Sequence, residues 1–205
     1  MNVTIFDYGA GNLHSLAKAL ECPDVVVRIE SDPARAVEDG TNVLVLPGVG
    51  AFGAAAERLA PGREIMRAAI VGGLPTIGIC LGMQLLFDGS DEGEGEGLGV
   101  IPGRVTRLHA ARVPQIGWND LEMVPGDAQF TAVPLPMVYY ANSFVCRPVD
   151  TSLVTAWTEH EGDRFPAAVR MGQAVGVQFH PEKSSTQGVR FLRALLDDAR
   201  TVEGR

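Results

Sequence analysis

The stretch Pro75–Leu86, which reads PTIGICLGMQLL, decides how the rest of the chain is interpreted. Its apolar first half predicts a short buried strand, and the residues after Gly82 predict a helix. Cys80 stands between them, with Gly78 two residues before it and Gly82 two residues after it. This spacing is typical of a sharp strand-to-helix turn that presents a nucleophile, because bulk at either glycine would block the bend. A helix N-terminus beside the sulfur would favour the thiolate. The alternative is a small buried apolar residue, which is the commonest role of a lone cysteine.

The composition predicts one globular domain over residues 1–205, with 46% hydrophobic and 20% charged residues. A net charge of −8 argues against a broad nucleic-acid surface. No apolar segment is long enough to cross a membrane, and no leader-like segment precedes the first strand. The three cysteines, at positions 22, 80 and 146, cannot all pair and lie far apart. They favour a reducing compartment, so we expect a cytoplasmic protein with no membrane or nucleic-acid partner.

The order of elements predicts an α/β fold. Strands alternate with helices through the first part of the chain, with strands at 2–6, 25–30, 43–46 and 75–79 and helices at 13–21, 54–59 and 64–71. This alternation predicts an open, largely parallel sheet flanked by helices, with ligands at the carboxyl ends of the strands, as in flavodoxin-like folds. Short strands follow, at 104–108, 120–124, 137–145, 153–157, 167–171 and 174–179. We expect the last of them to return to the central sheet, the others to form an added antiparallel part, and a helix at 186–199 to close the chain.

Two glycine-rich segments suggest other ligands but do not fit them. The turn at 7–12, DYGAGN, follows a strand, but the third glycine of a dinucleotide fingerprint would fall on His14. The segment 88–97, DGSDEGEGEG, predicts a solvated acidic loop, since its spacing does not match a calcium-binding EF-hand loop. No paired histidine or cysteine spacing suits zinc. We therefore expect no metal and no cofactor.

A cysteine nucleophile needs a base and a group that orients the base. Both are available where a predicted strand ends, at His180-Pro181-Glu182. In an extended segment, residues i and i+2 point the same way, so Glu182 could hold one imidazole nitrogen while the other faces Cys80. The remaining histidines, at positions 14, 109 and 160, have no comparable setting and are expected to be structural or exposed.

Two motifs resemble a known family. GICLGMQ around Cys80 and QFHPEKS around His180 are similar to those of class I glutamine amidotransferases of the triad type. Four segments together resemble the glutaminase subunits of imidazole glycerol phosphate synthase: IFDYGAGNLHSLAKAL near the start, LPGVGAFG at 46–53, IGWN at 116–119 and FHPEKS, within the second motif, at 179–184. The resemblance spans the chain and implies the class I glutamine amidotransferase fold.

The resemblance assigns roles to matching positions. Cys80 would attack the side-chain amide of glutamine, His180 would move the proton, and Glu182 would orient His180. The backbone amides of Val49 and Leu81 would form the oxyanion hole, with Gly48 and Gly50 shaping the loop around Val49. Gln84 would bind the amino-acid end of glutamine, together with the backbone at Ser143 and Phe144. Without the resemblance, Gln84 would be interpreted as an exposed polar residue on a helix.

The resemblance also implies a partner, a (β/α)8-barrel cyclase subunit that uses the released ammonia and forms a heterodimer with the glutaminase. Asn12, Trp118, Asn119 and Lys183 resemble residues that contact this barrel. Their simpler interpretations are a helix cap for Asn12, a core residue for Trp118 and a solvated charge for Lys183. This chain departs from the commoner pattern at Gln115 and Asn142, where the family more often has histidine.

Two other functions remain open from the sequence. A non-catalytic scaffold subunit would need none of Cys80, His180 and Glu182, which are all present. A small cysteine peptidase on a related α/β fold would need the nucleophile, but would have no use for Gln84 or the PGVGAF segment. Labelling of the cysteine by a glutamine-analogue chloroketone, blocked by glutamine, distinguishes a glutaminase from both.

Overall fold

The structure is a computed structural model that describes residues 1–9, 11, 13–38 and 40–203, of which 201–203 by their backbone only. Its helices in this part of the chain are α1 (Leu13–Leu20), α2 (Phe52–Leu59), α3 (Arg63–Val71), α4 (Leu81–Leu85), α5 (Ala128–Ala132) and α6 (Ser185–Glu203). The strands are β1 (Asn2–Phe6), β2 (Val26–Glu30), β3 (Val43–Leu46), β4 (Thr76–Ile79), β5 (Gly89–Ser90), β6 (Gly103–Arg107), β7 (Gln115–Asp120), β8 (Glu122–Met123), β9 (Met137–Asn142), β10 (Phe144–Pro148), β11 (Val154–His160), β12 (Asp163–Met171) and β13 (Ala174–Val177).

The main sheet contains eight of the described strands, in the order β2-β1-β3-β4-β13-β12-β11-β8. The first five run parallel, and β12, β11 and β8 continue the sheet antiparallel. The predicted return of the last strand is confirmed, because β13 lies between β4 and β12. The predicted fold class, an open and largely parallel sheet with an added antiparallel part, is likewise confirmed.

Alternation along the central strands explains the two layers of helices. In β3, Val43 and Val45 belong to the core that includes α1 and α6, whereas Leu44 and Leu46 belong to the core that includes α2 and α3. Every residue of β3, β4 and β13 is buried. Strands buried on both faces read as continuous apolar runs, which is typical of parallel sheets covered by helices.

The antiparallel part differs from the predicted strands. The strand expected at 137–145 is broken at Ser143 into β9 and β10, which join two different small sheets. Strand β7 was not expected, and it pairs with β9 to form a two-stranded ribbon. Its apolar residues Ile116 and Trp118 are exposed while Gln115 is buried, so its polarity is the reverse of an ordinary half-buried strand. The strand expected at 120–124 is only the short β8.

The parallel strands position the site. β3, β4 and β13 are neighbours, so the segments after their carboxyl ends meet at one edge of the sheet. These segments are Pro47–Gly50, Cys80 and Gln178–His180. The acidic segment 88–97 is largely exposed, as expected, although it includes the two-residue strand β5. In the described part of the chain, no helix has the length and apolar character needed to cross a membrane.

Candidate active site

The turn at Cys80 is a strained strand-to-helix elbow. Cys80 has φ 49° and ψ −102°, a backbone conformation that residues with a Cβ seldom adopt. Its amide donates to the carbonyl of Val177 at 2.7 Å, which ties the elbow to β13. A Cβ at Gly78 would lie 2.7 Å from the carbonyl oxygen of Gly82, and one at Gly82 would overlap the carbonyl of Leu46. Both glycines are therefore required by close approach, as the spacing predicted.

The helix that follows is short. α4 has five residues, so the field of its N-terminus at Cys80 is weaker than that of a long helix. Hydrogen-bond donors near the sulfur therefore matter more than the sequence suggested. Cys80 itself is 6% exposed and lies at the floor of a cavity.

His180 and Glu182 are paired as predicted, but by a different local geometry. Nδ1 of His180 lies 2.8 Å from Oε1 of Glu182. Glu182 is not in an extended segment, because Pro181–Lys183 forms one turn of 3-10 helix that carries the carboxylate back to the imidazole. The amide of His180 donates to the carbonyl of Tyr139 at 2.9 Å, which fixes the turn against β9. The other oxygen of Glu182, Oε2, is buried and has no hydrogen-bond partner among the described residues.

The environment of His180 favours its protonated form. Burial lowers the pKa of His180, but hydrogen bonds to Cys80 and Glu182 and the negative charges of both outweigh it and raise the pKa to about 9. A cysteine and histidine in this relation suit a thiolate–imidazolium pair. Tyr8 lies behind Cys80, where burial raises the pKa of its hydroxyl well above its ordinary value, and the charges of Cys80 and Asp7 add to the effect.

The cavity above the sulfur has a volume of about 230 Å³. The predicted site residues that line it are Gly48, Val49, Gly50, Cys80, Leu81, Gln84, Ser143, Phe144, His180 and Lys183. Glu182 stands behind His180 and lines a smaller neighbouring cavity. The structure therefore brings together the residues predicted for the nucleophile, the base, the oxyanion hole and the substrate.

The oxyanion loop follows β3. Gly50 has φ 130°, which an L side chain rarely adopts. Gly48 is restricted in another way, because a Cβ there would lie 3.0 Å from the carbonyl oxygen of Ile79 and 3.1 Å from Cε1 of His180. The loop therefore packs directly on the base and on the end of β4.

Gln84 is part of a buried hydrogen-bond network. It is 4% exposed, so it is not a solvated helix residue. Its Nε2 donates to the carbonyl of Phe144 at 3.0 Å and to Oε1 of Gln178 at 3.3 Å. Nε2 of Gln178 in turn donates to Sγ of Cys80 at 3.4 Å.

Two residues of the site were missed by the sequence analysis. Gln178 is fully buried and contacts the nucleophile, and its position two residues before His180 was the available signal. Glu92 belongs to the acidic segment that was expected to be solvated, but it lines the cavity. Its Oε2 accepts from the amide of Phe52 at 2.9 Å, at the start of α2. The alternation of acidic residues and glycine predicted an exposed loop and gave no sign that Glu92 lines a cavity.

The residues predicted to contact a partner are placed differently from one another. Trp118 is 52% exposed and packs edge-on against Tyr139, with ring centroids 6.3 Å apart, so it is not a core residue. Lys183 is exposed at the cavity. The side chain of Asn119 lies on the opposite face of the ribbon from Trp118, and its Nδ2 donates to the carbonyl of Glu159 at 2.8 Å. Asn12 lies outside the described residues.

The two positions that depart from the family pattern face each other. Gln115 and Asn142 are a cross-strand pair of the ribbon, and both are buried. Nδ2 of Asn142 donates to the carbonyl of Phe144 at 3.2 Å. Neither Oδ1 of Asn142 nor either amide atom of Gln115 has a partner in the described part of the chain.

Comparisons with known proteins agree with the motifs. The sequence profile of the family described as glutamine amidotransferase class-I matches residues 4–198. The subunit HisH of imidazole glycerol phosphate synthase from Synechocystis sp. is 41% identical over 93% of this chain and 93% of its own length. The same subunit from Leifsonia xyli is 43% identical over 93% of this chain and 95% of its own length, and that from Halobacterium salinarum is 40% identical over 96% and 93%.

Solved structures share the fold. A crystal structure of a glutamine amidotransferase has a TM-score of 0.73 at 21% identity, with 97% of this chain and 98% of that chain covered. The structure of PurLQS from Thermotoga maritima has a TM-score of 0.69 at 20% identity, with 96% of this chain and 98% of that chain covered. The sequence matches leave no place for the peptidase alternative: the chain belongs to the class I glutamine amidotransferases and, within them, to the family of the HisH subunits of imidazole glycerol phosphate synthase.

Proposed function

We propose that this chain hydrolyses glutamine to glutamate and ammonia and delivers the ammonia to a cyclase subunit that makes imidazole glycerol phosphate. The observation that carries the proposal is the arrangement of Cys80 and His180 on one cavity, with Glu182 paired to His180 behind it, in a chain of this family. The charge state of His180 supports it, because an imidazolium next to a thiolate holds the proton that the leaving amine will need.

The reaction follows from these positions. Sγ of Cys80 attacks the amide carbon of glutamine, and the carbonyl oxygen becomes an oxyanion. His180 gives its proton to the departing nitrogen, the C–N bond breaks, and ammonia leaves a glutamyl thioester. Water then attacks the thioester carbon, with His180 now taking the proton, and glutamate and the thiolate are released. General acid–base help of this kind contributes about 10²–10⁴ in rate.

Neighbouring groups complete the site. We assign the oxyanion to the backbone amides of Leu81 and Val49, and each such donor is worth about 10²–10³ in turnover. The amino-acid end of glutamine would lie between Gln84 and the backbone at Ser143 and Phe144, which all line the cavity. The carboxylate of Glu92 faces the same cavity and suits the α-ammonium group of the substrate.

A heterodimer with a (β/α)8-barrel cyclase is supported by the exposed face of the ribbon. Ile116, Trp118 and Met137 are 67%, 52% and 49% exposed. The register pairs Trp118 with Tyr139 and Ile116 with Ala141, so these side chains share one face. Ala141 also lines the catalytic cavity, so the apolar face is continuous with the site where ammonia forms. Contiguous exposed apolar surface of this kind marks interaction sites, and an apolar exit keeps ammonia unprotonated.

The location and the basal activity follow from the same proposal. A cytoplasmic location suits three cysteines that are all free, two of them buried. Because ammonia released into water is protonated and lost, we expect the isolated chain to hydrolyse glutamine slowly. Glutamate release should rise by orders of magnitude when the cyclase and its nucleotide ligand are both present.

The decisive experiment is Cys80→Ala in the complex. Glutamine-dependent synthesis should fall at least about 10³-fold, as for loss of other covalent nucleophiles, whereas synthesis from added ammonia should persist because the cyclase site lies on another chain. Cys22→Ala and Cys146→Ala are the matched controls and should keep most of the rate. Glutamate release within a few-fold of wild type from Cys80→Ala would refute the triad, whereas a wild-type complex that makes no product from glutamine would leave the scaffold interpretation.

A further inference from the structure

Gln178 carries a buried side-chain amide that contacts the nucleophile. It directly follows β13 and is fully buried, and its own amide donates to the carbonyl of Ala167 at 2.9 Å. Its side-chain nitrogen lies 3.4 Å from Sγ of Cys80. The sulfur is thus approached from one short segment by two groups, the imidazole of His180 and the amide of Gln178.

The orientation of the Gln178 amide is dictated by its neighbours. The carbonyl of Phe144 can only accept, so the atom of Gln84 that faces it at 3.0 Å must be the nitrogen. The second hydrogen of that NH2 group then points to Gln178 at 3.3 Å, where only the oxygen can accept it. The nitrogen of Gln178 is consequently the atom that faces the sulfur, as a donor.

A hydrogen-bond donor at this position stabilises the thiolate of Cys80 more than its neutral thiol. A thiolate accepts an N–H bond far more strongly than a neutral thiol does, and burial strengthens the difference. His180 provides the same kind of support only while it carries its proton. The amide of Gln178 does not titrate, so its support is independent of pH.

We propose that Gln178 is a positioning residue for the nucleophile, holding the Cys80 sulfur through its amide N–H and raising the fraction present as thiolate. The inference rests on the proposed function, because it treats Cys80 as the nucleophile. It assigns Gln84 a second task, that of orienting the Gln178 amide.

Replacing Gln178 should change how the rate of Cys80 alkylation depends on pH. In Gln178→Met, which keeps the length of the side chain, the midpoint of Cys80 alkylation by iodoacetamide should move about one pH unit higher. The thiolate of a thiol with a higher pKa reacts faster. A roughly threefold gain in its rate constant therefore partly offsets the tenfold loss in its concentration at low pH. Alkylation of the variant should therefore be about threefold slower than wild type below both midpoints and about threefold faster above them.

Other groups near Cys80 do not mimic this pattern. His180 titrates with a pKa of about 9, so the profile is read below that pH. The pKa values of Tyr8 and Cys146 are raised well above their ordinary range by burial, so both stay neutral there. Glu182 reaches the sulfur only through His180, while Glu92 and Lys183 line the cavity in both proteins.

The test is alkylation of the full chain from pH 5 to 8.5, with the Cys80 peptide followed by mass spectrometry. The matched control is Gln129→Met, another buried glutamine, which binds Arg170 away from the site. Its profile should coincide with wild type. Curves for Gln178→Met and wild type that converge or cross as the pH rises support the proposal, and a profile that coincides with wild type, or is slower by the same factor at every pH, overturns it.

A second measurement does not depend on the folding of a variant. In the wild-type chain, the side-chain amide signal of Gln178 in ¹⁵N NMR should shift with the same midpoint as alkylation, and this shift should vanish in Cys80→Ala. A signal that does not move with pH overturns the proposal. Because both experiments observe the thiol rather than turnover, their failure is distinct from retained glutaminase activity in Cys80→Ala, which would instead refute Cys80 as the nucleophile of the proposed function.

Discussion

The two walls of the catalytic cavity are built differently. The inner wall consists of Cys80, Gln84 and His180, with Gln178 behind the sulfur. It is buried and linked by hydrogen bonds from the carbonyl of Phe144 to the sulfur. The outer wall consists of the loop after β3 and the end of β9, which β7 extends into the ribbon. There, polar atoms of Gln115 and Asn142 are buried without partners in the described chain, and large apolar side chains are exposed. The wall that holds the nucleophile and the base is preorganised, and the wall proposed to face the partner is not.

This difference suggests where control over the reaction is located. A preformed nucleophile and base need no rearrangement, whereas an oxyanion donor can be gained or lost by rotating one peptide. We therefore assign control to the peptide between Gly48 and Val49, whose N–H would be misdirected until the partner binds. A lost donor is worth about 3–4 kcal/mol, which matches a control ratio of about 10²–10³.

Within the outer wall, the largest expected effect is that of Gly48→Ala on the partner-stimulated rate. A side chain restricts the dihedral angles available to this peptide, so partner-stimulated glutamate release should fall about 10²–10³-fold. The structure adds a second consequence, because the new Cβ would lie 3.1 Å from Cε1 of His180. The basal rate should fall as well, by a smaller factor. Rates of the isolated chain and of the complex, measured side by side, give both factors, and an unchanged stimulation ratio would place the switch elsewhere.

Trp118→Ala tests the outer wall as a binding surface. Because Trp118 is half-exposed and packs on Tyr139 at the centre of the apolar face, its loss should weaken binding to the cyclase by about 10–100-fold in Kd. Titration of one subunit with the other measures this change. Thermal unfolding of the isolated chain should be nearly unaffected, since the side chain is not in the core. Val149→Ala, at an 80% exposed apolar residue outside the ribbon, is the matched control and should leave Kd unchanged.

Glu182→Gln probes the inner wall through stability. The pKa of His180 in the folded chain, about 9, exceeds its ordinary value of 6.5, so the folded state holds the proton more tightly. This stabilisation is fully present below pH 6.5 and is lost as the pH rises towards 9. In Glu182→Gln, the decrease in the free energy of unfolding between these two pH values should be smaller than in wild type by about 1–2 kcal/mol. Urea unfolding at pH 6.5 and 9 measures it, and equal losses in both proteins would contradict the paired inner wall.

The inner wall was more predictable from the sequence than the outer wall, for a physical reason. The elbow at Cys80 and the strands 2–6 and 43–46 follow from local requirements, namely glycine at close approaches and continuous apolar runs. Strand β7 could not be predicted, because its burial is the reverse of the usual pattern, with Ile116 exposed and Gln115 buried. Gln178 and Glu92 were missed because their importance depends on contacts across about 98 and 40 positions of the chain, respectively.

The smallest expected effect, that of Gln115→Met, separates two explanations for the unpaired polar atoms of the outer wall. Both amide atoms of Gln115 are buried without a partner in the described chain, and its cross-strand neighbour Asn142 has an unpartnered oxygen as well. A buried unpaired polar group costs about 1–3 kcal/mol, so methionine, of similar length and apolar, should raise the free energy of unfolding of the isolated chain by about 1 kcal/mol. Urea unfolding measures this, with Gln129→Met as the control that should lose stability because Gln129 is paired with Arg170.

If the amide is retained because the partner reorganises the ribbon, the stabilised variant should also show weaker stimulation by the cyclase. If stimulation is unchanged while stability rises, the ribbon merely tolerates the amide, and control is confined to the loop after β3. A loss of stability in Gln115→Met would show that the outer wall is as well paired as the inner one, and the contrast between the two walls would not hold.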